Sequence, residues 1–141
     1  MAENPSQPRA SVATITGGLQ LVLRNGVRPA RLRYCRELLD LRCVRARAGG
    51  SDEPDRLAFG LEGVLHAAID ALGDGPQGQA AELLFGAAVD TRGLPLKDRR
   101  RQAATSLHVA VSTFRQNYED QMVEDVAAEI LRLELVAEPT P

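Results

Sequence analysis

The chain has 141 residues, the usual size of one domain, and 44% hydrophobic and 26% charged residues are ordinary values for a globular protein. The formal net charge is −2, so the chain is not uniformly basic. Its overall field therefore does not attract it to nucleic acid or to a membrane. Aromatic residues make up only 4% and tryptophan is absent, so Leu, Ala and Val must build the core.

The charges alternate in blocks along the chain. Residues 1–48 carry nine Arg against three acids, and residues 49–91 carry one Arg against eight acids. Residues 92–115 carry six basic residues against one acid, and residues 116–141 carry one Arg against seven acids. Such alternation is typical of layers that pair within the molecule, and equally of a dipolar surface that meets a charged partner.

The first third of the chain predicts a tail and two helices. Residues 1–12 are polar and proline-containing, which predicts a disordered tail. Residues 12–24, before Asn25 and Gly26, fit a short helix or a strand entering a hairpin, and we favour the helix. A single helix is predicted over 29–47, because proline begins it and two glycines end it. Its apolar stripe comprises Leu32, Cys35, Leu39, Cys43 and Ala46.

Four further helices are predicted in the rest of the chain. The segment 54–72 has the clearest amphipathic spacing, and the segment 78–89 is apolar almost all round, which is typical of a central helix. Helices over 97–107 and 112–134 follow, with a short turn between them. We therefore expect an all-α fold, a compact bundle of five or six helices spanning one domain over 13–134, and a disordered tail over 135–141.

The sequence carries little catalytic equipment. Cys35 and Cys43 lie in one predicted helix, roughly 12 Å apart, whereas a disulfide needs Cα atoms within about 7 Å, so two reduced and buried thiols are expected. His66 and His108 are isolated, and neither a nucleophile-histidine-acid set nor metal-ligand spacing is present. We expect a non-enzymatic cytoplasmic protein with no cofactor or metal, no signal peptide and no membrane-spanning segment.

Residues 99–118 resemble a helix-turn-helix of the DNA-binding type, whose pattern reads R-x-x-A-A-x-x-L-G-V-S-x-x-T-V. Six residues carry the resemblance at the helix crossing, at the turn and at the start of the second helix: Ala103, Ala104, Leu107, Val109, Thr113 and Phe114. Two positions depart from the pattern, because His108 replaces the turn glycine and Ala110 replaces a Ser or Thr. Histidine adopts positive φ more readily than most residues.

The resemblance implies that the last two helices, within 97–134, form a pair that presents the start of its second helix to DNA. Eight residues would then bind duplex DNA. Phosphates would be bound by Lys97, Arg99, Arg100, Arg101 and Arg115, and base edges would be bound by Ser112, Thr113 and Gln116. Beyond Asn117 the helix turns acidic, so only its first turn can approach a polyanion.

The segment TRGLPLKDRRRQAATSLHVAVSTFRQNYE is also similar to a segment of small actinobacterial proteins of unknown role with a helix-turn-helix-like end. The resemblance covers about residues 28–134 and implies a regulator of transcription or an adaptor rather than an enzyme. We predict a DNA-binding regulator. The alternative is a helical adaptor module that docks through its charged faces onto a protein partner, or onto a second copy as a homodimer.

Overall fold

The computed structural model describes residues 10–137 and shows that this part of the chain is all-helical. A 3₁₀ turn spans Val89–Thr91, and a π-helical segment, Arg115–Glu119, joins the last two α-helices. The α-helices are α1 (Val12–Asn25), α2 (Pro29–Leu32), α3 (Arg36–Leu39), α4 (Arg42–Arg47), α5 (Pro54–Asp70), α6 (Pro76–Leu84), α7 (Leu96–Ser106), α8 (Val111–Phe114) and α9 (Asp120–Val136).

Helix α1 begins at the first residue of the predicted segment 12–24, whereas α9 extends closer to the C-terminus than predicted. Ser11 forms a capping box with Thr14, in which each side chain accepts from the other residue's backbone N–H, so α1 begins at Val12. At the other end α9 continues to Val136, two residues into the predicted tail. The remainder of both predicted tails, residues 1–9 and 138–141, lies outside the described residues.

The segment 12–24 is a helix and not a strand, as predicted. It ends at Gly26, whose φ of 81° lies in the region that favours glycine. The Gly26 N–H donates to Val22 O at 2.7 Å and the Val27 N–H donates to Phe85 O at 2.9 Å. The first bond closes the end of α1, and the second joins it to the loop after α6.

The prediction of one helix over 29–47 is wrong, because the segment folds as α2, α3 and α4. The backbone leaves the helical region at Cys35, with ψ 63°, and at Leu41, with ψ 142°. A straight helix turns by 100° per residue, so Leu41 would project on the side opposite Leu32 and would face solvent. The two breaks turn both side chains inward, so that Leu32 is fully buried and Leu41 is 7% exposed. Ala46 of the predicted stripe is exposed instead.

The centre of the bundle is α5 and not the predicted helix 78–89. Helix α5 contacts α2, α3, α4, α6 and α9, whereas α6 packs mainly against α7. Gly60 allows α4 to approach α5 closely, since a Cβ there would lie 2.6 Å from Val44 O of α4. Glu134 near the end of α9 accepts from the N–H groups of Arg42 and Cys43, which caps α4 with a residue distant in sequence.

The predicted helices 54–72, 78–89 and 97–107 are found with shifted ends, whereas the predicted helix 112–134 is divided into α8, the π-helical segment and α9. Helices α5 and α7 match the predictions over 54–72 and 97–107, and α6 stops at Leu84, earlier than the predicted residue 89. Gly86 follows with φ 72° and ends that helix region. The buried apolar side chains form one contiguous core, and Cys35 and Cys43 are buried within it as free thiols.

Candidate nucleic-acid interface

The turn between α7 and α8 is formed by residues 107–110 and has a left-handed centre. His108 has φ 60°, the only positive φ of a non-glycine residue between residues 10 and 137. The N–H of Val109 donates to Ala104 O at 3.0 Å, which closes the end of α7 across the turn. His108 stands where the sequence pattern favours glycine, and its backbone adopts the left-handed conformation that glycine favours.

The two helices of this hairpin are in contact, and each buries small or apolar side chains. Ala103 is fully buried, Ala104 is 1% exposed and Phe114 is fully buried. The absence of large side chains at the alanine pair allows α7 and α8 to approach closely. Phe114 also stacks on Tyr118, with ring centroids 6.4 Å apart, which ties α8 to the π segment.

The start of α8 faces solvent on the side away from that contact. Ser112, Arg115 and Gln116 are exposed, and Thr113 is partly buried. Of the four residues predicted here to face DNA, three therefore have accessible side chains, and Thr113 is only partly accessible. The hairpin holds these side chains on one short stretch of helix whose first turn carries no acid.

Arg99 does not belong to this surface, which corrects the prediction that it contacts phosphate. It is 1% exposed. Its Nη1 donates to Leu84 O at 2.6 Å and its Nη2 to Leu23 O at 2.8 Å, and further bonds reach the carbonyl oxygens of Arg24 and Leu94. The guanidinium thus satisfies the last carbonyls of α1 and α6, groups that a helix end leaves without partners.

Gly86 makes room for the Arg99 side chain, and Gly26 lies in ordinary contact distance of it. A Cβ at Gly86 would lie 3.2 Å from Arg99 Cδ, and a Cβ at Gly26 would lie 3.8 Å from Arg99 Cζ. Burial, followed by the nearby charge of Arg100, lowers the pKa of Arg99. The sequence shows three consecutive arginines without indicating that the first points inward, although glycines at two helix ends were a signal of close backbone approach.

Arg100 is also removed from the predicted phosphate-binding set. Its Nε and Nη2 donate to the two carboxylate oxygens of Glu119 at 2.7 and 2.9 Å. The Arg100 side chain is 20% exposed and that of Glu119 is 9% exposed, so the pair is largely shielded from water. This bidentate pair ties α7 to the π segment and neutralises both partners.

Three of the predicted cations remain in solvent. Lys97, Arg101 and Arg115 are all exposed. Arg101 lies 3.9 Å from Asp98, at a spacing of three residues on α7, and its side chain is 63% exposed. Surface pairs of this kind are weak, so the Arg101 guanidinium is available to an incoming anion.

The acidic residues that follow Asn117 are only partly turned away from the surface that carries these cations. Glu119 faces inward, bound to Arg100, and Asp125 is partly buried and accepts from Gln121 Nε2 at 2.9 Å. Asp120 and Glu124 are exposed. A polyanion could therefore approach the start of α8 but would meet these two carboxylates farther along the helix.

The described residues contain no further site of obvious chemistry. Between residues 10 and 137, no three His, Cys, Asp or Glu side chains gather as metal ligands, and no helix is long and apolar enough to cross a membrane. No model of a known protein family matches the chain, and searches of curated proteins and of solved structures return no match either.

Proposed function

We propose that this chain is a non-enzymatic DNA-binding regulator that uses the α7–α8 hairpin as a helix-turn-helix. The observation that carries the proposal is the left-handed turn at His108, with φ 60°, between two helices that are in contact, the first of which buries an alanine pair. Such a turn sets the second helix at a steep angle and points its first residues outward, as entry into a major groove requires.

The accessible residues divide into two roles. Lys97, Arg101 and Arg115 would bind phosphates, which fix the position of the protein on the duplex. Ser112 and Gln116 would meet base edges, since a hydroxyl and an amide can each donate and accept hydrogen bonds there. Contact would be confined to α7, α8 and the beginning of the π segment, because the exposed Asp120 and Glu124 lie farther along the helix and would repel DNA.

The loss of Arg99 and Arg100 from the surface makes the expected binding weak and only moderately dependent on salt. Each neutralised phosphate contributes about 0.9 to the slope of log affinity against log salt concentration, so three cations give a slope of about −2.7. Five cations, the number that the sequence suggested, would give a slope of about −4.5. The measured slope therefore reports how many of these residues touch the phosphate backbone.

The test is fluorescence anisotropy with a labelled, random-sequence DNA duplex in KCl from about 50 to 200 mM. The wild-type protein should bind with the shallower slope, and Lys97→Ala/Arg101→Ala/Arg115→Ala should abolish most of the binding. Arg132→Ala is the matched control, because Arg132 is 58% exposed and paired with Glu129 at the far end of α9. That variant should bind as the wild type does.

Base reading is tested separately from phosphate binding. Duplexes selected from a random pool by the wild-type protein should lose their advantage over the pool when Ser112→Ala/Gln116→Ala is used. Residual binding of the unselected pool should stay unchanged, since these side chains carry no charge. Absence of any anisotropy change at the lowest salt, or a slope that the triple variant leaves intact, would contradict the proposal.

A further inference from the structure

Two of the five aromatic side chains of the protein are exposed. The chain contains three Phe and two Tyr. Phe85 and Phe114 are fully buried, whereas Tyr34 is 61% exposed and Phe59 is 63% exposed. Exposed aromatic side chains are enriched at protein interfaces, where they bury a large area at a small cost in side-chain entropy.

Tyr34 and Phe59 belong to one surface. Arg33 connects them, because its Cζ lies 5.7 Å from the centroid of the Tyr34 ring and its Nη1 lies 3.3 Å from Asp55 Oδ1. Phe59 follows Asp55 by one turn of α5, so the two side chains are neighbours on the same face of that helix. Helix α2 packs directly against α5 beneath them. We call these four residues, Arg33, Tyr34, Asp55 and Phe59, the aromatic surface.

The side of the aromatic surface formed by α2 and α3 is basic. Arg28, Arg31 and Arg36 are exposed, and residues 28–37 hold four arginines against one exposed acid, Glu37 in the first turn of α3. Among residues 10–137, none of these three arginines has a carboxylate within 4.0 Å, whereas Arg33 has Asp55. Within the part of the chain that the structure describes, this side therefore carries three cations with no carboxylate at ion-pair distance.

The opposite side, formed by the beginning and middle of α5, is acidic. The side chains of Glu53 and Asp55 are 76% and 73% exposed. Glu62, three residues after Phe59 on the same helix, is partly exposed. Arg56 is the one base of this stretch and lies 3.8 Å from Glu53, so the net charge of the side is negative.

We propose that the aromatic surface binds a second copy of this chain around a two-fold axis. A two-fold axis between Tyr34 and Phe59 brings the basic side of one copy opposite the acidic side of the other, and the reverse contact follows by symmetry. Each ring then meets a ring of the partner, which covers apolar area that one copy leaves in water. A uniform polyanion fits this surface poorly, because Glu53 and Asp55 would repel it.

The proposal is tested by sedimentation velocity over protein concentrations from about 1 μM to 1 mM. The wild-type protein should shift from monomer to dimer, and Tyr34→Ala/Phe59→Ala should weaken the dimer at least tenfold. Val89→Ala is the control, since Val89 is 77% exposed and lies outside the aromatic surface. A monomer at every concentration, or a dimer that the double variant leaves unchanged, would overturn the proposal.

A charge exchange distinguishes this surface from a general tendency to associate. Arg31→Glu/Arg36→Glu makes both sides acidic, and Glu53→Arg/Glu62→Arg makes both sides basic. Each variant alone should be monomeric by self-repulsion, with unchanged helical circular dichroism, and an equimolar mixture should form a heterodimer. A mixture that stays monomeric would overturn the proposed pairing. No DNA is present and no proposed DNA contact is altered, so the result is independent of the regulator proposal.

Discussion

Replacing Arg99 by Met tests whether this arginine holds the fold together rather than binding an anion. Methionine has a similar length and apolar stem but no donor, so the change leaves the carbonyl oxygens of Leu23 and Leu84 without their buried hydrogen bonds. The bonds to the carbonyl oxygens of Arg24 and Leu94 are also lost, but these groups are only partly buried. The ends of α1 and α6 and the start of α7 would lose their common partner.

The magnitude follows from the number of buried bonds. A hydrogen bond from a charged donor contributes about 1.5–3 kcal/mol, so the two fully buried bonds correspond to about 3–6 kcal/mol. Removing a buried cation returns part of this, because no carboxylate compensates its desolvation. We therefore expect Arg99→Met to lower the free energy of unfolding by about 2–4 kcal/mol. The free energy of unfolding of Arg99→Lys should lie between those of the wild type and Arg99→Met, since an ammonium keeps the charge but cannot reproduce the planar fork of the guanidinium.

The assay is urea unfolding followed by circular dichroism at 222 nm, with Arg101→Met as the matched control. Arg101 is exposed on the same helix, and its replacement should change stability by no more than about 0.5 kcal/mol. If Arg99→Met and Arg101→Met unfold at the same urea concentration, the reasoning about Arg99 is refuted. If Arg99→Met is unfolded in buffer, the comparison moves to Arg99→Lys, which must still be less stable than Arg101→Met.

Three further predictions concern packing, the turn and the thiols. Gly60→Ala should lower the free energy of unfolding measured in urea by about 1–3 kcal/mol, because its Cβ would meet a carbonyl oxygen of α4 at 2.6 Å. Gly63→Ala should be neutral or stabilise the fold by up to about 1 kcal/mol, because its Cβ would meet only the end of a flexible arginine at 3.4 Å. His108→Gly should raise the melting temperature, since glycine adopts the left-handed turn without strain, and the gain in free energy of unfolding should be at most about 1 kcal/mol. A lower melting temperature would count against the left-handed conformation. Burial raises the pKa of Cys35 to about 11, and burial together with the nearby Glu134 carboxylate raises that of Cys43 to about 12 from an ordinary 9.0. Both thiols should therefore resist a thiol-specific disulfide reagent until the protein unfolds, and stability should fall as the pH rises above 9, because the unfolded thiols ionise first.

Most of the helices could be predicted because their signals are local. Proline at the start of α5, the apolar spacing within it and the glycines after it together indicate one helix, and the structure has one. The segment 29–47 shows the limit of this reasoning. Its stripe fits a helix, but Leu41 and Val44 lie off the stripe and are also buried. Helices α2 and α3 pack against α1 and α5, and α4 packs against α5, and this tertiary packing is not contained in the local pattern.

The candidate site could be predicted in its backbone and only partly in its charges. The pattern around His108 indicates a turn, and a tight turn with positive φ is found there. Neighbouring arginines, by contrast, have different partners: Arg99 binds main-chain carbonyls, Arg100 binds Glu119, and Arg101 remains in water. Their acceptors lie up to 76 residues away in the sequence, so no local pattern distinguishes the three.

The two proposed surfaces lie on different elements, and this separation gives them a joint consequence. The proposed DNA contacts lie on α7, α8 and the π segment, whereas the aromatic surface is formed by residues around α2 and on α5. A dimer through Tyr34 and Phe59 would therefore carry two hairpins related by a two-fold axis. Because each hairpin offers only three phosphate-binding cations, binding by one copy would be weak, and two linked copies would gain affinity from simultaneous contact. Symmetric half-sites in the preferred DNA are then expected only if the dimer forms, so the aromatic double variant should still bind a single half-site while losing its preference for a pair.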